Sequence, residues 1–86
     1  MPEISRFFRI IITMYYSDHQ PPHFHVRYGG QKAQVAINPV SILRGELPPG
    51  VFGLVAEWAL AHRAELIEDW MLSQNETPPN KIAPLE

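Results

Sequence analysis

The sequence predicts an α+β fold, in which an antiparallel sheet of three or four strands carries one long C-terminal helix on one face. Three observations predict it. β-Branched and aromatic residues dominate residues 6–16. Residues 23–28 and 31–37 alternate between apolar and polar side chains on either side of a Gly-Gly pair, as in a β-hairpin. Apolar residues then recur at helical spacing over residues 49–73.

Length and composition predict one small domain covering residues 1–86. A domain of this size buries only about 60% of the surface of its unfolded chain, so a homodimer that buries more is an expectation. The chain has no cysteine, which excludes disulfides and thiolate metal sites. Its net charge of −2 excludes a uniformly basic nucleic-acid-binding protein and leaves room for a local basic patch.

The N-terminal residues predict a cytoplasmic protein without a membrane partner. Residues 1–6 lack the charged and apolar regions of a signal peptide. The longest apolar run near this end, residues 10–12, is far shorter than the roughly 20 residues of a membrane-spanning helix.

Residues 6–16 are predicted to form the first strand, because β-branched and aromatic side chains favour a pleated, half-buried surface. Even-numbered positions from Phe8 to Tyr16 make an apolar face, and odd-numbered positions make a more polar one. A loop at residues 17–22 follows, and its two prolines exclude both a helix and regular strand pairing.

The next two strands, at residues 23–28 and 31–37, are joined by a turn at Gly29-Gly30. One pairing register of the two strands places apolar residues opposite each other on one face and polar residues opposite each other on the other face. The core side pairs Phe24 with Val35 and Val26 with Ala33, and the open side pairs His25 with Gln34 and Arg27 with Lys32. A short fourth strand is predicted at residues 41–44.

The helix at residues 49–73 begins with prolines in a position that the first helical turn tolerates. Its apolar stripe consists of Val51, Val55, Trp58, His62, Leu66 and Trp70. The two tryptophans are predicted to anchor the core or an interface, and His62 is predicted to be a core or boundary histidine. Residues 74–86 form an irregular proline-rich tail that Ile82 and Leu85 could attach to the body.

A single helix covers only one face of the sheet, so the other face is solvated or covered by a partner. We expect function on this open face. Its residues are Arg9, Thr13, Tyr15, His23, His25, Arg27, Lys32 and Gln34.

A histidine cluster on the open face predicts a metal site. His23 and His25 lie two apart on a strand, so their side chains project from one face about 7 Å apart. His19, in the preceding loop next to Asp18, could fold back as a third nitrogen ligand. Three imidazoles suit Zn²⁺, and an added carboxylate suits Fe²⁺ or Ni²⁺. The alternative is that these histidines face solvent and only form hydrogen bonds.

The same face also predicts anion or RNA binding. Arg27 and Lys32 lie opposite each other, so their charges repel by some tenths of a kcal/mol unless an anion lies between them. Tyr15 could stack on a base. Catalysis would then use His19, His23 and His25 as acid–base groups and Arg27 to stabilise phosphate charge. The alternative is that Arg27 and Lys32 extend separately into solvent.

Several segments together resemble one family. They are Ile4-Ser-Arg-Phe7, Met14-Tyr15, Asp18-His19, Pro21-Pro-His-Phe-His25, Tyr28-Gly29, Gly45-Glu-Leu-Pro48, Glu57-Trp58, His62, Glu65-Leu66, Trp70 and Ile82-Ala-Pro-Leu85. From end to end this combination resembles the domain-of-unknown-function family 4160, and the Pro-Pro-His-Phe-His stretch is its most specific part. In that family a glycine often stands where this chain has Arg9, so the resemblance assigns no role to Arg9.

The resemblance implies a prokaryotic protein that is often encoded beside another small protein of unknown function, as in a toxin–antitoxin pair. The leading hypothesis is therefore a component of such a two-gene module, acting through the open face on RNA or a protein. A metal-binding protein with the three-histidine site, with or without hydrolase activity, is the first alternative. A non-catalytic interaction module is the second. Whether the protein is an enzyme stays open at this point.

Overall fold

The computed structural model describes residues 2–86, and within them the chain forms five strands and two helices. The strands are β1 Glu3–Phe7, β2 Ile10–Thr13, β3 His23–Tyr28, β4 Gln31–Ile37 and β5 Val40–Gly45, and the helices are α1 Pro49–Ala61 and α2 Arg63–Gln74. Neighbouring strands in the chain are neighbours in the sheet, and every pair is antiparallel. The predicted α+β class is confirmed, while the predicted numbers of strands and helices were too low.

The predicted strand at residues 6–16 is a hairpin of β1 and β2. Phe8 and Arg9 have φ angles of 48° and 65°, and Phe7 pairs with Ile10 across them. Two left-handed residues are what a tight hairpin turn requires. The prediction was wrong because this turn contains neither glycine nor asparagine and is flanked by apolar residues on both sides. Phe8, predicted on the apolar face, is 57% exposed, and Tyr16 is exposed too.

The central hairpin has the predicted register. Phe24 pairs with Val35 and Arg27 pairs with Lys32. Gly29 has a φ of 58°, which a residue with a side chain rarely adopts at the start of such a turn. β5 extends the fourth predicted strand by one residue at each end. Alternation within β3 and β4 was therefore sufficient to place every side chain of the hairpin on its face.

The predicted single helix is interrupted at His62, where φ is −121° and ψ is 27°. No glycine or proline marks this break. Helical hydrogen bonds continue across it, since the N–H of His62 donates to the carbonyl of Trp58 and the N–H of Leu66 donates to the carbonyl of His62. The helical spacing of the apolar residues therefore runs through the break, which is why the spacing predicted a single helix. In residues 2–86, neither helix is long and apolar enough to cross a membrane.

The core lies between the sheet and the helices, and the C-terminal tail closes it. The Trp58 ring is buried against Phe7, and its indole N–H donates to the carbonyl of Ala83 at 2.8 Å. The N–H of Ile82 donates to the carbonyl of Ile4, also at 2.8 Å, and the Ile82 side chain is buried. The predicted attachment of the irregular tail through Ile82 is confirmed, and Leu85 packs against the core beside it.

Candidate metal centre

The loop between β2 and β3 is held in place by the end of α2. The N–H of Ser17 donates to the carbonyl of Ser73 at 3.1 Å, and Gln74 Nε2 donates to the carbonyl of Asp18 at 2.8 Å. The last carbonyls of a helix have no partner within it, so they are available for such contacts. The backbone N–H of His19 donates to Asp18 Oδ1 at 2.9 Å, which orients the carboxylate. Gln74 therefore holds the backbone of Asp18, and the His19 N–H holds its carboxylate.

The fixed carboxylate meets two imidazoles at the start of β3. Asp18 Oδ2 lies 3.0 Å from His23 Nε2 and 3.0 Å from His25 Nε2. One ligand atom from each of these three residues lies within 4.8 Å of the others. The two-residue strand spacing places both rings on one side, and the loop supplies the acid. The three side chains thus form a cluster in which two ring nitrogens and one carboxylate oxygen converge.

His23 is buried, with only 1% of its surface exposed, and its tautomer follows from its contacts. Its Nδ1 lies 2.7 Å from the carbonyl oxygen of Pro21, which can only accept, so Nδ1 carries a proton. In the neutral ring, Nε2 then presents a lone pair. Within residues 2–86 this Nε2 has no hydrogen-bond partner, because the Asp18 oxygen, although 3.0 Å away, does not lie in the direction that a hydrogen bond requires. A lone pair and a carboxylate oxygen in contact repel unless a cation lies between them.

The burial of His23 corrects one prediction. The alternation of β3 predicted that His23, His25 and Arg27 share one open face, either solvated or covered by a partner. In the structure, Trp70 packs on the His23 ring, and the His19 ring lies 5.5 Å from it on another side. These covering groups come from α2 and from the preceding loop, so alternation within one strand could not reveal them. His25 is only partly exposed, while Arg27 is exposed as predicted.

His19, predicted as a third imidazole ligand, lies at the rim of the centre. Its Nδ1 is 3.0 Å from Asp18 Oδ1, the carboxylate oxygen that faces away from the two other histidines, and its side chain is 69% exposed. It does not belong to the converging group of Asp18, His23 and His25. Sequence reasoning noted Asp18 only as a neighbour of His19. The sequence signal for Asp18 as a ligand is that it lies within a few residues of His23 and His25, since carboxylates and imidazoles together ligate metal ions.

The surroundings favour an ionised Asp18 carboxylate and a neutral His25 ring. Burial alone raises the pKa of Asp18, but the hydrogen bonds from His25 and from the His19 backbone, with the nearby His23, lower the pKa below its usual value. Burial lowers the pKa of His25, and proximity to His23 adds to this, while Asp18 opposes it. A deprotonated acid and an uncharged ring are the forms that ligate metal ions.

The predicted anion-binding residues line a pocket of about 220 Å³ on the open face. Tyr15, Arg27 and Lys32 all contribute to its wall. The Tyr15 and His25 rings lie 4.0 Å apart, and His25 also lines this pocket. One residue, His25, is therefore shared between the metal-ligand cluster and the pocket.

A family model described as a domain of unknown function, DUF4160, matches residues 10–71, which is more than half of the 86-residue chain. The matched range contains Asp18, His23 and His25, and it excludes β1 and the C-terminal tail. No curated protein and no solved structure matches the chain.

Proposed function

The chain belongs to the DUF4160 family of domains of unknown function, and we propose that it binds a divalent transition-metal ion through Asp18, His23 and His25. One observation carries the proposal: among the residues that the structure describes, the buried Nε2 of His23 has no hydrogen-bond partner, and it lies 3.0 Å from a carboxylate oxygen. A bound cation satisfies the lone pair and the carboxylate together.

A proton on Nε2 is the competing explanation, since it would make His23 a cation paired with Asp18. That proton would be buried and would point away from the Asp18 oxygen, so it would form no good hydrogen bond. A charge buried without good hydrogen bonds is costly. The Nδ1 bond to the Pro21 carbonyl also matches what ligating histidines usually do with their second nitrogen, which fixes the ring and raises its basicity. The geometry therefore favours a metal ion over a proton at Nε2 of His23.

The ligand set indicates the class of metal. Two imidazole nitrogens and one carboxylate suit Zn²⁺, Fe²⁺ or Ni²⁺. Three protein ligands leave at least one coordination position for water or a substrate, as in catalytic rather than structural zinc sites. His19 lies at the rim, where its Nδ1 is 3.0 Å from Asp18 Oδ1.

The test is a Zn²⁺ titration of metal-stripped protein that carries no histidine tag, followed by calorimetry and elemental analysis. We expect one Zn²⁺ per chain for the native protein. We expect Asp18→Asn and His25→Ala to lower the affinity at least tenfold, because each removes one of three ligands. His62→Ala is the matched control, since His62 lies on the helices and contacts Glu65 instead. Its affinity should stay within twofold of the native value.

Two results would contradict the proposal. One is native protein that retains no Zn²⁺, Ni²⁺ or Fe²⁺ after dialysis against a slight excess. The other is a loss of affinity in His62→Ala as large as that in His25→Ala, which would indicate nonspecific binding by surface histidines. Circular dichroism of each variant confirms that the fold is retained.

The metal centre is independent of the two-gene module and of the homodimer, both of which stay predictions. A metal-binding protein could be either member of a toxin–antitoxin pair. Expression alone and together with the neighbouring gene, with growth and co-purification as readouts, tests that prediction. Size-exclusion chromatography of the purified chain tests the homodimer.

A further inference from the structure

Four side chains form a line across the open face of the sheet. The register pairs Arg6 with Ile11, Ile11 with Arg27, and Arg27 with Lys32. Residues directly opposite each other in neighbouring strands project from the same face, so three cationic side chains lie in one row. Such a row repels itself unless anions compensate it.

Only part of this charge is compensated within the described residues 2–86. The Arg6 guanidinium forms an ion pair with the Glu3 carboxylate at 2.9 Å. Arg27 and Lys32 have no ion pair and no side-chain hydrogen bond in that part of the chain. Both line the 220 Å³ pocket, together with the paired Glu3 and Arg6. The pocket therefore carries an excess of two positive charges at one end.

The other end of the pocket belongs to the metal centre. His25 lies two residues before Arg27 on β3, about 7 Å away along the strand, and its ring forms part of the pocket wall. The Tyr15 ring packs against the His25 ring at 4.0 Å and gives this end an aromatic surface. A molecule in the pocket would contact the two free cations at one end and a metal ligand at the other.

Charge and size select the class of molecule. Two cations match a dianion, and a phosphate monoester carries about −1.5 to −2 charges at pH 7 with three strong acceptor oxygens. Arginine can bind two of those oxygens at once, and lysine adds a point charge. A carboxylate would leave one cation uncompensated. The volume lies below the roughly 300–1,000 Å³ of sites for drug-sized ligands, so the molecule is small.

We infer that this pocket binds a small phosphate monoester, with its phosphate on Arg27 and Lys32 and its organic end along Tyr15 and His25. The inference rests on the proposed metal function, since it names the substrate class that the metal centre would act on. The same phosphate chemistry could come from a free metabolite or from the end of an RNA strand. The test therefore includes both.

The experiment measures binding by calorimetry to native protein, to an Arg27→Gln/Lys32→Gln double variant and to Arg44→Gln. Arg44 is the matched control, because it is an exposed cation on β5 outside the pocket. The ligands are glycerol 3-phosphate, acetate and two short single-stranded RNAs, one with a 5′-phosphate and one without. We expect glycerol 3-phosphate to bind the native protein and the double variant to bind at least tenfold more weakly. Arg44→Gln should change the affinity less than twofold.

Each of the other outcomes supports or overturns one part of this inference. Equal affinity for acetate and glycerol 3-phosphate overturns the choice of a phosphate dianion. Binding of both RNAs without binding of glycerol 3-phosphate overturns the small monoester in favour of a nucleic-acid backbone. Binding of only the 5′-phosphorylated RNA, beside glycerol 3-phosphate, supports the monoester and identifies an RNA end as a source. Unchanged affinity in the double variant overturns the assignment of Arg27 and Lys32.

A second readout separates this inference from the metal proposal. The Zn²⁺ stoichiometry of the double variant should remain one per chain, because neither substituted residue is a metal ligand. In native protein loaded with Co²⁺, the ³¹P signal of glycerol 3-phosphate should broaden relative to the Zn²⁺-loaded protein. If glycerol 3-phosphate binds tightly but its ³¹P signal does not broaden, its placement beside the metal centre is wrong. If the protein binds no metal yet binds the phosphate through Arg27 and Lys32, the proposed function fails and the anion site stands.

Discussion

At the scale of single residues, the most informative side chain is His23. An unpartnered polar atom in a buried site costs on the order of 1–3 kcal/mol, and native proteins rarely retain one without a reason. The His23 ring is held by the Pro21 carbonyl on one side and by Trp70 across its face, so it cannot turn to find another partner. A bound metal ion offsets this cost, which links the stability of the fold to the proposed function.

Arg9 is a second residue whose conformation has a measurable consequence. Its φ of 65° is left-handed, a conformation that costs a residue with a side chain about 1–2 kcal/mol and glycine very little. We predict that Arg9→Gly raises the free energy of unfolding by about 0.5–1 kcal/mol, as measured by urea denaturation.

The control for this prediction is Arg44→Gly, which places the same substitution in an exposed strand without a positive φ. That variant should lose stability, because glycine weakens a strand. Equal destabilisation by the two substitutions would show that the turn at Arg9 is not strained.

At the scale of elements, Gly45 determines how β5 ends against β4. Its φ is 78°, and a Cβ at this position would clash with the backbone carbonyl oxygen of Lys32. Backbone atoms of a central strand cannot move away cheaply. We predict that Gly45→Ala lowers the free energy of unfolding by about 2 kcal/mol or more. Gly53→Ala, with open space around its Cβ inside α1, should instead be stabilising by up to about 1 kcal/mol.

The end of α2 positions the metal-ligand loop, and this gives a prediction at the same scale. Gln74 Nε2 donates to the Asp18 carbonyl across 56 residues of sequence. We predict that Gln74→Ala lowers the Zn²⁺ affinity about tenfold, since contacts that orient a ligand typically contribute 10–100-fold. The free energy of unfolding of the metal-free protein should change by less than about 1.5 kcal/mol, the upper end for one hydrogen bond.

Gln31→Ala is the control for Gln74, because Gln31 is exposed at the tip of the central hairpin. It should leave the Zn²⁺ affinity unchanged. An unchanged affinity in Gln74→Ala as well would show that the Asp18 loop keeps its position without α2.

At the scale of the whole molecule, the C-terminal tail connects β1 and both helices. It contacts Ile4 and Trp58 as described above, and the N–H of Asn80 donates to Asp69 Oδ1 on α2 at 2.8 Å. Asp69 is buried, and its other carboxylate oxygen has no hydrogen-bond partner in the part of the chain that the structure describes. Burial raises the pKa of Asp69 to about 6, with the Asn80 N–H opposing the rise and Glu68 and Glu65 adding to it.

The sign of the resulting pH dependence follows from linkage. The folded pKa lies above the unfolded value of roughly 3.9, so the folded protein binds more protons between pH 4 and pH 6. Stability from this group is present below pH 4 and is lost as the pH rises through about 6. We predict that the free energy of unfolding of the native protein falls over this range, by on the order of 1–3 kcal/mol, relative to Asp69→Asn.

Urea denaturation at four pH values between 4 and 7 measures the difference between the two proteins. Glu57→Gln, an exposed acid on α1, should keep the native pH profile. Parallel pH profiles for native protein and Asp69→Asn would show that Asp69 ionises in the folded protein as it does in the unfolded chain.

The sequence by itself determined the features that depend on backbone periodicity. The alternation of residues 23–37 defined the central hairpin and its register. The helical spacing identified five side chains that the core buries, Val51, Val55, Trp58, Leu66 and Trp70, while His62 of the same stripe is only partly buried. Strand and helix periods of two and 3.6 residues are properties of the local chain, so a local pattern suffices to read them. The same alternation placed His23 and His25 together, which predicted a metal site in that segment.

Only the tertiary structure decided which groups surround those histidines. Asp18 converges on them because the end of α2 holds its loop, and His23 is buried because Trp70 covers it. The contact between the tail and Asp69 likewise joins two different segments of the chain. Contacts of this kind follow from how whole elements pack, and no local period records them. The converging carboxylate and the buried, unpartnered nitrogen, which carry the proposed function, therefore became visible only in the folded chain.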